Sequence, residues 1–200
     1  MRTRRIIVAA LAGFTAGAAA IFVAAFIVAG HPNLDVAPIG GPFTLTDDSG
    51  AQVTDAALAG KPSAIYFGYT YCPDVCPTTL VDMSRWIGKL GPDADKLNFV
   101  FITVDPERDT PQIMHQYVSS FDKHIRGFTG TPEQIAKVAK EYRVYYKRVP
   151  ADDGDYSMDH SSFIYLMNAQ GRYVGNILYQ EKDDAVVAKL RRLVAAAAVS

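Results

Sequence analysis

Two side chains in this sequence have the chemistry and spacing to act together: Cys72 and Cys76, in Tyr71-Cys72-Pro73-Asp74-Val75-Cys76-Pro77. They are the only cysteines in the chain. Two cysteines cannot staple a small secreted fold, so this pair forms a local disulfide, a metal site or a redox couple. Proline after each cysteine disfavours helical backbone at both, which predicts a tight loop with Cys76 near a helix N-cap and Pro77 at the first helical position. Thiols beside the positive end of a helix ionise more readily. A thiolate is both the nucleophile of disulfide exchange and a ligand for a soft metal, so the loop alone leaves these chemistries open.

A third ligand would decide between them. His31 falls in a proline-rich linker, His115 inside a predicted helix beside Met114, and His124 between Lys123 and Arg126, all settings that suit a solvated or structurally satisfied histidine. His160 differs because it closes a polar loop, Ala151 to Asp159, just before an apolar strand, where an α/β sheet brings loops together. Taken singly, a loop histidine is more often structural than a ligand. Asp159 beside it could orient the imidazole or balance charge. Two thiolates and an imidazole suit Cu(I), whereas zinc would want a fourth ligand and none stands out. Met83 and Met114 sit at helical core spacing, and Met158 is expected to pack in its loop.

The elements that must position these residues are legible in outline. Ser63 to Gly68 is an apolar, aromatic-rich run that predicts a central strand leading directly into the cysteine loop. After Pro77, Leu80, Met83, Trp86, Ile87 and Leu90 recur at helical spacing until Gly91-Pro92. Leu97 to Val104 predicts a second buried strand, and Asp105 to Pro111 a turn into a helix capped by Asp109 or Thr110. Thr131-Pro132-Glu133-Gln134 carries a capping-box signature for another helix. Ser162 to Met167 and Arg172 to Tyr179 predict two strands joined by a turn, and a last helix runs from about Lys182 to Ala197. Before all of these, Phe43 to Leu45 and Gln52-Val53 flank a polar turn and predict a β-hairpin. The expected fold is an α/β sandwich around a mixed sheet.

Ahead of that domain, Arg2, Arg4 and Arg5 precede an uncharged run from Ile6 to Gly30. At ~1.5 Å per residue the run is long enough for a ~30 Å hydrocarbon core, and longer than the roughly 7–15 apolar residues usual for a cleaved signal peptide. Arginines on the short side place that side in the cytoplasm. Thr3-Arg4-Arg5 is only a faint twin-arginine match. The expected organisation is residues 1–5 as a cytoplasmic N-terminus, 6–30 as a transmembrane anchor, 31–42 as a linker and 43–200 as the folded domain. That corresponds to a single-pass protein of a bacterial-type inner membrane with its domain on the periplasmic or equivalent side. A net charge of −1, with three of the arginines in the N-terminus, and the lack of a basic aromatic patch exclude an electrostatic nucleic-acid binder.

Three stretches together resemble the Sco/SenC family of copper proteins, which take part in cytochrome c oxidase assembly. They are Phe67-Gly68-Tyr69-Thr70-Tyr71-Cys72-Pro73-Asp74-Val75-Cys76-Pro77, Val104-Asp105-Pro106-Glu107-Arg108-Asp109-Thr110-Pro111, and Asp159-His160 before a strand. The resemblance spans about Pro42 to Val194. It implies a thioredoxin-like fold in which Cys72, Cys76 and His160 bind copper, as Cu(I) with Cu(II) left open, and Asp159 is a neighbour of the site. It implies support from the Asp105 to Pro111 loop, with no ligand role for Asp105. It further implies a partner in the copper-A domain of oxidase subunit II, either supplied with copper or kept reduced at its cysteines, and an external thiol reductant. No proline follows Pro150, so the loop where thioredoxins carry a cis-proline offers a histidine here. This weakens a general disulfide-reductase reading. Thiol-disulfide oxidoreductase activity through Cys72 and Cys76 is the alternative, and a peroxidase-like cycle of attacking and resolving cysteines is a third.

Overall fold

The computed structural model describes residues 38–151 and 154–198. The N-terminal arginines, the expected membrane span over residues 6–30 and most of the linker lie outside the described residues. No helix among the described residues is long and apolar enough to cross a membrane. Every described element belongs to one compact unit that begins at Pro38.

The strands are β1 (Thr44–Asp47), β2 (Gln52–Thr54), β3 (Ser63–Gly68), β4 (Asn98–Thr103), β5 (Ile125–Thr129), β6 (Tyr146–Pro150), β7 (Tyr156–His160), β8 (Ile164–Met167) and β9 (Tyr173–Ile177). The helices are α1 (Val75–Leu90), α2 (Pro111–Val118), α3 (Pro132–Glu141) and α4 (Asp183–Ala197). Seven strands form one mixed sheet in the order β2-β1-β5-β4-β3-β8-β9, and β6 and β7 pair separately. β3, β4 and β5 run parallel; β1 and β8 flank them antiparallel. All six residues of β3 are buried, as are five of the six in β4. Such continuous apolar burial requires cover on both faces of the sheet.

Alternation along β3 shows how that cover is arranged. Tyr66 reaches Cys76 in α1, while Phe67 stacks at 5.4 Å on Tyr142, which caps α3. The two helices therefore lie on opposite faces. Phe101, opposite Tyr66 in register, meets Tyr117 of α2 at 5.7 Å, which puts α2 on the face of α1. Asp183 ties α4 to α1 by accepting from Arg85 Nε and Trp86 Nε1, each at 2.8 Å, and Lys89 Nζ at 3.0 Å. Gly91, at φ 59°, ends α1 with its N–H on the Ile87 carbonyl, a backbone turn that suits glycine and is followed by Pro92. Thr110 and Thr131 cap α2 and α3, the latter with the full reciprocal capping box to Gln134.

The structure departs from the sequence reading at three places. A parallel strand, β5, lies between α2 and α3 where none was expected. Its Arg126 and Gly127 dilute the apolar signal, and its strand form comes from pairing with β1 and β4. The second half of the stretch expected as a polar loop, Tyr156 to Asp159, is strand, because β7 pairs with β6 as an antiparallel hairpin. Helix α1 starts at Val75, before Cys76, with Asp74 at the N-cap position. Pro77 is still within the first turn, where its missing N–H leaves no intrahelical bond unmade.

Candidate metal centre

The site is built at the C-terminal end of β3. The strand ends at Gly68, and the Cys72 N–H then turns back onto the Tyr69 carbonyl at 3.3 Å. Asp74 makes no side-chain cap for α1; instead the Cys72 sulfur accepts the backbone N–H of Cys76 at 3.4 Å. Cys72 therefore occupies the place an N-cap oxygen would take, against an otherwise unpaired donor at the positive end of a helix. Cys76, within the first turn, is fully buried, and Cys72 is half-buried. The Tyr66 hydroxyl, also fully buried, donates to Cys76 Sγ at 3.6 Å.

A buried carboxylate fixes the near side of the cysteine loop. Asp109, at 0% exposure, accepts from the Thr70 N–H at 3.0 Å, the Thr70 hydroxyl at 2.6 Å and the Thr103 hydroxyl at 2.6 Å. Its carbonyl accepts from Thr129 Oγ1 at 2.7 Å, so one residue ties the loop to β4 and β5. Burial pushes the Asp109 carboxyl up, and the hydroxyl and N–H donors oppose that shift.

His160 arrives from the far side, at the end of β7. Its Nε2 lies 3.4 Å from Cys76 Sγ, and its Nδ1 lies 2.9 Å from the Ser161 carbonyl oxygen. A carbonyl only accepts, so the proton belongs on Nδ1 and the Nε2 lone pair faces the sulfur. That is the tautomer a metal-binding imidazole needs, held by the kind of partner that orients metal-bound histidines. The rings of Tyr66 and Tyr69 stand edge-on to the imidazole, at 6.1 and 5.9 Å between centroids.

The two sulfurs share their protons unequally. The Cys72 thiol is lowered to about 3, first by the hydrogen bond from Cys76, against burial, and then by His160 and the backbone N–H groups of Asp74 and Cys76. Cys76 is pushed up, first by that same bond, then by burial and by the charge on Cys72. The reduced pair thus carries one negative charge, on the more accessible Cys72, and one proton, on the buried Cys76.

Cys72, Cys76 and His160 each offer one ligand atom, and the three atoms lie within 4.8 Å of one another. Among the described residues no other histidine, cysteine or carboxylate joins this group. Two soft sulfurs and one imidazole nitrogen fit a copper ion, and the missing fourth ligand makes the set a poor structural zinc site. Asp159, expected beside the imidazole, points to the other face of the hairpin: it is exposed and lies opposite Lys147, while the Ser161 carbonyl orients His160. Strand alternation is the reason, since residues 156, 158 and 160 share one face and 159 takes the other. His115 is an exposed surface residue paired with Asp48, and His124 is held between Asp122 and Asp95. Met83 and Met114 are core residues, and Met158 is buried beneath the hairpin. Tyr66 and Tyr69 were not singled out from sequence as site residues, although their positions, on the strand entering the cysteine loop and just beyond its end, were a usable signal.

The SCO1/SenC family model matches residues 32–195. The chain is 45% identical over 144 residues to the mitochondrial SCO1 homolog 1 of Arabidopsis thaliana, covering 72% of this chain and 43% of that protein. It is 42% identical over 151 residues to an SCO2-like protein of Rickettsia felis, covering 74% of each. The chain spans about half the length of its plant and yeast relatives, 43% for the Arabidopsis thaliana SCO1 homolog 1 and 54% for SCO2 of Saccharomyces cerevisiae. Among solved structures it resembles copper-bound ScoI of Bradyrhizobium japonicum at 54% identity and a TM-score of 0.74, covering 78% of this chain and 99% of that one. Copper-bound yeast Sco1 superposes with a TM-score of 0.73 at 38% identity, covering 80% of this chain and 90% of that one. With its thioredoxin-like α/β fold and its Cys-x-x-x-Cys loop facing a histidine, the chain belongs to the SCO1/SenC family.

Proposed function

We propose that this chain is a membrane-anchored copper-binding protein. In this reading it delivers copper to the copper-A site of cytochrome c oxidase subunit II, or keeps the cysteines of that site reduced, during oxidase assembly. Residues 6–30 anchor it in a bacterial-type inner membrane, residues 31–42 link, and residues 43–200 work on the non-cytoplasmic side. The observation that carries the reading is the convergence of Cys72 Sγ, Cys76 Sγ and a His160 ring nitrogen within 4.8 Å. The copper-bound structures of relatives support it.

Each residue has a distinct part in holding the ion as cargo. Cys72 presents a ready thiolate at the partly exposed edge of the site. Cys76 gives up the remaining proton and supplies the buried sulfur, and His160 offers the lone pair its Ser161 contact has freed. Formation of a Cys72–Cys76 disulfide removes both sulfurs as thiolate ligands, so an external thiol reductant has to return the pair to the binding state. A second reading, thiol-disulfide oxidoreductase, is favoured by the accessible, acidified Cys72 beside a second thiol.

Competition for copper(I) against a chromophoric chelator, on the full reduced chain and its His160→Ala and Cys72→Ser variants, tests the first reading. Weakened binding in both variants is expected; unchanged affinity and stoichiometry in both refutes it. Disulfide-reductase turnover that survives His160→Ala and is lost in Cys72→Ser would favour the second.

A further inference from the structure

His160 is the one member of the ligand set that comes from outside the cysteine loop, and it sits on a hairpin that joins no strand of the main sheet. Sheet hydrogen bonds therefore cannot fix its distance from the sulfurs. Side chains contribute to doing so, and Arg108 stands among those that reach β7 and the residue before it from the body of the fold.

Arg108 is a partly buried cation, with 15% of its side chain exposed. Its Nε donates to Asp105 Oδ2, and its Nη1 donates to the Tyr156 carbonyl at 3.0 Å and to Asp155 Oδ1 at 3.1 Å. The Tyr156 hydroxyl closes the ring by donating to Asp105 Oδ1 at 2.8 Å. Nη2 has no hydrogen-bond partner, and the guanidinium is enclosed by aromatic rings. Its central carbon lies 3.7 Å from the ring centroid of Tyr156, 4.7 Å from that of Tyr71 and 5.8 Å from that of Tyr69. Tyr71 directly precedes Cys72, and Tyr156 shares the inner face of β7 with His160. One planar cation thus grips the cysteine loop on one side and the histidine strand on the other. Besides the contacts of His160 itself with Tyr66, Tyr69 and Cys76, further ties are a hydrogen bond between the Tyr69 hydroxyl and the Met158 backbone, and an exposed stack of Arg148, paired with Glu107, on Tyr156.

We propose that Arg108 is a positioning residue that holds His160 at its distance from Cys72 and Cys76, so that it sets copper affinity through His160 and not through the sulfurs. This rests on the copper-binding reading and adds to it a named residue that touches no ligand atom. Lysine cannot replace it, since an ammonium has neither the planar face for three rings nor the fork that serves Asp105 and Tyr156 together.

A double-mutant cycle on the full chain tests the proposal. Copper(I) affinity is measured for the parent, Arg108→Ala, His160→Ala and the double variant, with hydrogen exchange of the apo proteins alongside. Arg108→Ala is expected to weaken binding about tenfold, the usual scale for residues that orient a ligand, but less than about twofold in the His160→Ala background. In the apo protein it should speed exchange of the Tyr156–His160 amides and leave those of β3 and β4 unchanged. An equal loss in both backgrounds, or none in the parent, overturns the proposal. If His160→Ala alone leaves affinity unchanged, the assignment of His160 as a ligand fails instead, and exchange in β7 still decides whether Arg108 pins the hairpin: unchanged exchange overturns it. Should Arg108→Ala not fold, Arg108→Lys enters the same cycle with the same expected outcomes.

Discussion

Gly68 is where backbone, core and metal centre meet most closely. A Cβ placed there would stand 2.7 Å from Phe101 Cε2 and 2.8 Å from Cys76 Sγ. Ordinary contacts of this kind lie at about 3.5–4.0 Å, so in Gly68→Ala each neighbour must retreat by roughly 1 Å. Neither can do so freely, because Phe101 and Cys76 are both fully buried. Overpacking of this kind costs about 1–3 kcal/mol, which for a unit of this size lowers the melting temperature by roughly 2–12 °C. The same displacement carries Cys76 Sγ out of its 3.4 Å relation to His160 Nε2, so copper(I) affinity should fall by about tenfold or more. Gly88→Ala is the matched control. That glycine is exposed on α1 with nothing within 4 Å of its added Cβ, and alanine there should raise stability by about 0.5–1 kcal/mol without touching the site. Thermal melts of the apo proteins and chelator competition read both effects. A Gly68→Ala protein with parental melting temperature and parental affinity would refute the claim that the floor of the site is packed against Cys76.

Two further outcomes follow from side chains away from the ligands. Asp183 is held well below the usual carboxylate range by its bonds from Arg85, Trp86 and Lys89, so its contribution is present above the unfolded value near 3.9 and is lost as pH falls below it. With Arg85 and Lys89 side chains 47% and 41% exposed, Asp183→Asn should cost roughly 1 kcal/mol at pH 7, and the gap from the parent should begin to narrow below about pH 4 and close as pH falls through the depressed folded value. Melting curves at pH 7 and pH 3 check this, and an equal gap at both would contradict it. Asp159→Ala should leave copper(I) affinity within about twofold of the parent, because the carboxylate lies on the outer face of the hairpin; a tenfold loss in chelator competition would contradict that placement.

What could be seen in the sequence depends on the range of the interactions involved. The cysteine loop, the helix after it, the Thr110 cap and the Thr131 capping box are local patterns, and they emerge close to where they were expected. β5 was hidden because Ile125-Arg126-Gly127-Phe128-Thr129 owes its strand form to β4 and β1, neither adjacent in sequence. The β6–β7 hairpin was hidden because Lys147, Arg148, Ser157 and Asp159 are exposed and give the segment a loop's polarity, although Tyr156, Met158 and His160 keep a period of two. The same alternation turns Asp159 away from the site. Arg108 was visible only as part of a turn, since its partners Tyr71 and Tyr156 are brought to it by the fold.

The most direct test of a three-ligand copper site is X-ray absorption at the copper edge of the full chain, purified anaerobically and loaded with one equivalent of copper(I). The convergence of Cys72, Cys76 and His160 predicts two sulfur ligands and one nitrogen ligand, with the nitrogen lost in His160→Ala. A sulfur-only shell in the parent, or one that His160→Ala leaves unchanged, would contradict it.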